Sequence, residues 1–159
     1  MSAAYPLPDG TRIRSILAMV FEGIAVKPGR KFDTSHGSGA YLGVYIADDG
    51  RPVALCACDA NLAAFSSAAL SMMPPAVAKD AAKTRQLTSL MAENLREVMN
   101  ICSHLVMRED APHLRLQDVY AIGALPASAQ ALLARPVERS DYEIALPKYG
   151  SGLMALISS

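Results

Sequence analysis

Tyr41-Leu42-Gly43-Val44-Tyr45-Ile46-Ala47, then Asp48-Asp49-Gly50-Arg51, then Pro52-Val53-Ala54-Leu55-Cys56-Ala57-Cys58 is the clearest hairpin signal in the chain. Both flanking runs have strand propensity. Asp49-Gly50 is a favoured two-residue turn, because such a turn needs backbone conformations with positive φ that glycine adopts freely. The fold is read outward from this pair of strands.

Upstream, Asp9-Gly10-Thr11 is a cap region, and Ile13, Ile16, Leu17, Val20, Phe21 and Ile24 follow at helical spacing. A helix is expected from Asp9 to about Val26, stopped and turned by Lys27-Pro28-Gly29-Arg30. Residues 33–39 are rich in Ser, Thr and Gly and read as a loop. Downstream, Asp59 caps a second helix over residues 60–73, whose many small side chains allow close packing. Pro74-Pro75 ends it, and residues 76–83 read as a polar connection. A long amphipathic helix is expected over residues 84–106, closed by Arg108–His113. Leu114–Tyr120 alternates partly, and residues 126–133 suit a short helix or helical turn. Residues 142–146 and 152–157 read as a final pair of strands around the turn 147–151.

That order is α+β: a single domain over residues 1–159, an antiparallel β-sheet with long helices packed on one face. A chain of 159 residues with 52% hydrophobic residues and no Trp builds its core from Ala, Leu, Val, Ile and Met. Fifteen basic residues balance fifteen acidic ones with no Lys/Arg-rich run, so no broad field draws nucleic acid. No apolar run approaches the ~18–20 residues of a membrane span, and Met1–Gly10 lacks the pattern of an export signal. With three cysteines, an odd count, reduced thiols in a cytoplasmic protein are expected.

Within the long helix, Glu93, Glu97 and Asn100 stand at i, i+4 and i+7. At roughly 100° per residue they share an arc of about 60°, with His104 at i+11 inside it. Leu87, Leu90, Met91, Val98, Ile101 and Leu105 are expected on the buried side. A carboxylate and a carboxamide one turn apart, facing water, can act on a partner's chemistry. They are equally an ordinary solvated face, in which Arg96 pairs with Glu93 or Glu97.

Other motifs carry less. Cys56 and Cys58 share a strand face, but four metal ligands are not to hand, so buried core thiols are expected and no metal. Gly37-Ser38-Gly39 precedes a strand and does not open a helix, which fails the geometry of a phosphate cradle. Ser66-Ser67 has no nucleophile context. His36 and His113 are expected in solvent.

The sequence resembles the CheC/CheX/FliY family of chemotaxis phosphatases. The family pattern is Asp or Ser, three residues, Glu, two residues, Asn, then a Pro some two dozen positions on. Glu93-x-x-x-Glu97-x-x-Asn100 matches its core and Pro126 lies near the last position. Glu93 replaces the Asp or Ser, Pro126 comes a few residues late, and the second Asn of many members is missing, with His104 or Leu105 there. Val20-Phe21-Glu22, Val26-Lys27-Pro28-Gly29, the hairpin and the helix ending in Met72-Met73 extend the resemblance over residues 11–107 in the CheX order.

The resemblance implies a CheC-like fold and a phosphatase acting on the aspartyl phosphate of a CheY-type response regulator. Asn100 would position the attacking water, Glu97 would dock to the regulator's active-site Lys, and Glu93 and His104 would be partner contacts. It implies no cofactor of the protein's own, Mg²⁺ being supplied by the phosphorylated regulator. A single Glu-x-x-Asn copy resembles CheX, whose relatives pair as homodimers, here by strand edges or the apolar C-terminal strands. The alternative is a non-catalytic CheC-like module that binds a response regulator or a flagellar or sensory partner.

Overall fold

The computed structural model describes residues 4–159. Met1–Ala3, part of the amino-terminal stretch read above for an export signal, lie outside the described residues. Six strands, β1 (Ala25–Pro28), β2 (Tyr41–Ala47), β3 (Pro52–Cys58), β4 (Leu114–Ala121), β5 (Glu138–Leu146) and β6 (Gly150–Ser158), form one sheet in the order β1-β5-β6-β3-β2-β4. Every neighbouring pair is antiparallel. The helices are α1 (Gly10–Leu17), α2 (Ala60–Leu70), α3 (Pro75–Thr84), α4 (Ser89–Val106) and α5 (Ala127–Ala134). The α+β class expected from the sequence is the one observed.

Both faces of the sheet are covered, which explains why β2 and β3 are apolar almost without alternation. Cys56, Cys58, Ile144, Met154 and Leu156 share a core with α1, α2 and α4. Leu42, Val44, Ile46, Leu55, Ala57, Leu153, Ala155 and Ile157 pack with Phe32, Ala129 and Leu132 on the other side. The long helices therefore do lie together on one face, and the short α5 closes the second.

The hairpin forms where expected, with one residue more in its loop. The Ala47 N–H donates to the Arg51 carbonyl and the Gly50 N–H to the Ala47 carbonyl, each at 2.9 Å, so Asp48, Asp49 and Gly50 make a three-residue connection. Gly50 takes φ +84°, the left-handed conformation that such a loop requires.

Several expectations are corrected. The first helix is Asp9-capped, the Asp9 carboxylate accepting from the Arg12 N–H at 2.9 Å, but it ends at Leu17. Phe21 and Ile24 are buried from the turns that follow, so helical spacing persisted where the helix did not. Ala25–Pro28, read as helix end and turn, is an edge strand paired with β5, and its proline is tolerable because an edge leaves donors unpaired. Residues 76–83 are mostly helix α3: Pro75 opens it, and Ala78 and Ala81 are buried.

The long helix starts at Ser89 and not at Thr84. Arg85 takes the left-handed conformation at φ +57° to end α3, and the Thr88 hydroxyl accepts from the Met91 N–H at 3.2 Å. Met91, Leu95, Val98, Met99, Cys102, Leu105 and Val106 are buried. Leu90 is 49% exposed and Ile101 half-buried, because the arc centred on the buried side leaves both at its flank. Of the C-terminal strands, β6 is paired on both sides, and the open edges of the sheet belong to β1 and β4.

Candidate functional site

Hydrogen bonds through its inner side and at its end fix helix α4 to the rest of the molecule at three places. At its start, the Asn94 carboxamide donates to the Ser67 carbonyl at 2.9 Å and to the Ser71 hydroxyl at 2.6 Å, tying it to α2. In its middle, the buried Tyr45 hydroxyl donates to the Met99 carbonyl at 2.6 Å. Beneath that point β2 carries Gly43, whose missing Cβ would lie 3.1 Å from the Met99 side chain. At its end, the Arg12 guanidinium donates to the His104 and Met107 carbonyls, each at 3.1 Å. A cation on the last free carbonyls of a helix satisfies them and suits the helix dipole.

This anchoring leaves Glu93, Glu97, Asn100 and His104 exposed on the opposite side. Glu93, Glu97 and Asn100 border a depression of about 280 Å³ together with Arg96 and Leu116. His104 is on the same side of the helix but does not line the depression. Its exposed ring lies beyond it, toward the Arg12 end.

Arg96 does not pair with either glutamate. Its guanidinium donates to the Asp118 carboxylate on β4, in an ion pair whose side chains are each 52% exposed. Asp118 reaches it from an irregular place in the strand. Val44 pairs with Asp118 and Tyr45 with Leu116, so Gln117 is an extra residue and the strand is bulged there. Local spacing offers Arg96 only its neighbours in the helix as partners. Asp118 and Leu116 are hidden at that level, since nothing local in Leu114–Tyr120 marks the bulge.

The remaining motif positions fall elsewhere. Pro126 sits at the start of α5, whose buried residues belong to the core on the other face of the sheet, and it does not line the depression. Cys56, Cys58 and Cys102 are free thiols in the core. The hydrogen bond with Cys56, and then burial, hold the Cys102 thiol well above its ordinary range. For Cys56 the bond with Cys102 acts downward, and Cys58 together with burial outweighs it. Such thiols are poor nucleophiles. Among the described residues no group of three His, Cys, Asp or Glu side chains is arranged to hold a metal ion. His113 is exposed and its Nδ1 lies 2.8 Å from the Asp48 carboxylate.

No protein-family model matches the chain, and no curated protein matches it. Solved structures do. A chain of the CheX–CheY–BeF3–Mg²⁺ complex from Borrelia burgdorferi is similar at 14% identity and TM-score 0.44, over 94% of this chain and 97% of that one. FliY of Thermotoga maritima is similar at 12% identity and TM-score 0.48, over 99% and 85%. The FliM middle domain of H. pylori is similar at 11% identity and TM-score 0.41, over 94% and 82%. CheX and FliY are two of the proteins that the sequence resemblance named. No helix of the described residues is long and apolar enough to cross a membrane.

Proposed function

We propose that this protein hydrolyses the aspartyl phosphate of a CheY-type response regulator. Asn100 places the water and Glu97 docks to the regulator. One observation carries the reading: Glu97 and Asn100 stand exposed and one turn apart on a helix anchored through its other side, at the rim of an open depression.

An acyl phosphate is already activated, so hydrolysis asks chiefly for a water in line with phosphorus. The Asn100 carboxamide oxygen accepts one proton of that water and sets the direction of its lone pair. A carboxamide is too weak a base to take the proton away, and orientation is its whole contribution. Glu97 pairs with the regulator's active-site Lys, which fixes register more than it adds affinity, since both charges are desolvated on contact. Glu93 is a rim contact of the same sign, and His104 a further contact beyond the depression. Mg²⁺ belongs to the regulator, whose own metal and Lys meet the charge on the phosphoryl group. The protein acts in the cytoplasm as a homodimer, for which the open edge of β4 offers unpaired backbone groups.

A binding module without catalysis is the second reading. It is favoured by Glu93 in the place of Asp or Ser and by His104 and Leu105 where a second Asn is usual.

The deciding experiment mixes the protein with a phosphorylated CheY-type regulator from the same source and follows phosphate loss. Decay should quicken, and Asn100→Ala should abolish the gain with an unchanged circular dichroism spectrum. Binding without faster decay sinks the enzyme reading in favour of the module.

A further inference from the structure

Arg96 is a cation placed where the protein could neutralise its own docking face. It is three residues after Glu93, adjacent to Glu97 and four residues before Asn100, and it lines the same depression as all three. An exposed Glu and Arg at i and i+3 on a helix are near enough to pair. Here they do not, because the Asp118 carboxylate takes the guanidinium to β4.

Asp118 is itself held ready for this. The bulge at Gln117 brings it opposite Val44, and its Oδ1 accepts the Val119 N–H at 2.8 Å. Bulges recur beside functional sites because one inserted residue re-aims a side chain without disturbing the rest of the strand. The net charge of the chain is zero, so attraction of a cationic partner depends on these local carboxylates staying unpaired.

We propose that Asp118 is a specificity-determining positioning residue: by sequestering Arg96 on β4 it keeps Glu93 and Glu97 open to a cationic group of the partner. The proposal rests on the docking reading of this face. With Asp118 neutralised, Arg96 returns to Glu93 or Glu97 and competes with the partner's cation from within.

The test compares Asp118→Asn, Arg96→Gln and the double variant in two measurements. Calorimetry measures binding to a CheY-type regulator from the same source, loaded with Mg²⁺ and beryllofluoride. NMR follows the Arg96 Nε–Hε signal in the free protein. Asp118→Asn should weaken binding about two- to five-fold, the range open to an exposed ion pair, and should move the Arg96 signal. Arg96→Gln should bind at least as tightly as the native protein, and the double variant should match it. Equal weakening by both single variants, with no recovery in the double, overturns the proposal and makes the pair a structural tie or Arg96 a contact. An unmoved Arg96 signal in Asp118→Asn also overturns it. Should the native protein fail to bind, the docking reading itself falls, and the NMR signal alone still reports whether Asp118 holds Arg96.

Discussion

The Tyr45 hydroxyl on β2 reaches the carbonyl oxygen of Met99 at 2.6 Å, one residue before Asn100 on α4. It is a buried bond between the sheet and the middle of the helix that carries the candidate site. Burial raises the Tyr45 phenol well above its ordinary range, so the group stays a donor at any physiological pH. Tyr45→Phe removes the donor and leaves the carbonyl its helical partner. Stability should fall by about 0.5–1.5 kcal/mol, the usual net worth of such a bond. Urea unfolding should show a lower midpoint at unchanged slope. A larger loss would mean that the bond also fixes the helix position, and site activity would then fall with it.

Two of the glycines that let helices approach the sheet differ in what a side chain there would meet. A Cβ on Gly152 of β6 would lie 2.5 Å from the Leu62 backbone nitrogen in α2. Backbone cannot swing aside, so Gly152→Ala must lift α2 off the sheet. A Cβ on Gly43 would instead meet the flexible Met99 side chain at 3.1 Å. Overpacking costs of about 1–3 kcal/mol suit Gly43→Ala, and Gly152→Ala should exceed them. Thermal melts that rank the two in the reverse order would contradict this packing.

The hairpin, two helix caps and the polar face of α4 were legible because each is set by residues close in sequence. Asp9 and Asp59 cap their helices as expected, accepting from Arg12 and Leu62. What was not legible depends on distant partners. Phe21 and Ile24 keep helical spacing outside any helix because the same core receives them from turns. Ala25–Pro28 is a strand only because β5, more than a hundred residues on, lies beside it. The candidate site divides the same way. Glu97 and Asn100 follow from spacing on one helix, whereas Asp118 joins them only through a bulge in a strand that pairs with β2.

Stability should fall steeply on the alkaline side. Cys102, Cys56 and Tyr45 all have their ionisation raised well above ordinary values of 9.0 for thiols and 10.0 for phenols. Well below 9.0 both folded and unfolded chains keep these protons, and no stability is lost. Above it the unfolded chain releases protons that the native core retains, so unfolding becomes more favourable as pH rises. Guanidinium titrations should give a flat stability to about pH 8 and a decline that steepens through pH 10. Replacing Cys56 and Cys102 with Ala should delay the onset of that decline toward the phenol range. A profile unchanged up to pH 11 would contradict the burial of these groups.

Glu97 and Asn100 should separate kinetically if one docks and the other positions water. Glu97→Gln keeps the shape and removes the charge, so it should raise KM for the phosphorylated regulator several-fold and leave kcat nearly unchanged. It should also flatten the salt dependence of kcat/KM, because the attraction lost is between charges screened by ions. Asn100→Ala should do the reverse, lowering kcat by ten-fold or more, roughly the scale of lost orientation, with little change in KM or salt response. Stopped-flow measurements at two ionic strengths read all four quantities. If both substitutions lower kcat alone, Glu97 acts on the chemistry and not on docking. If both raise KM alone, the face is a binding surface and the water is placed by the regulator.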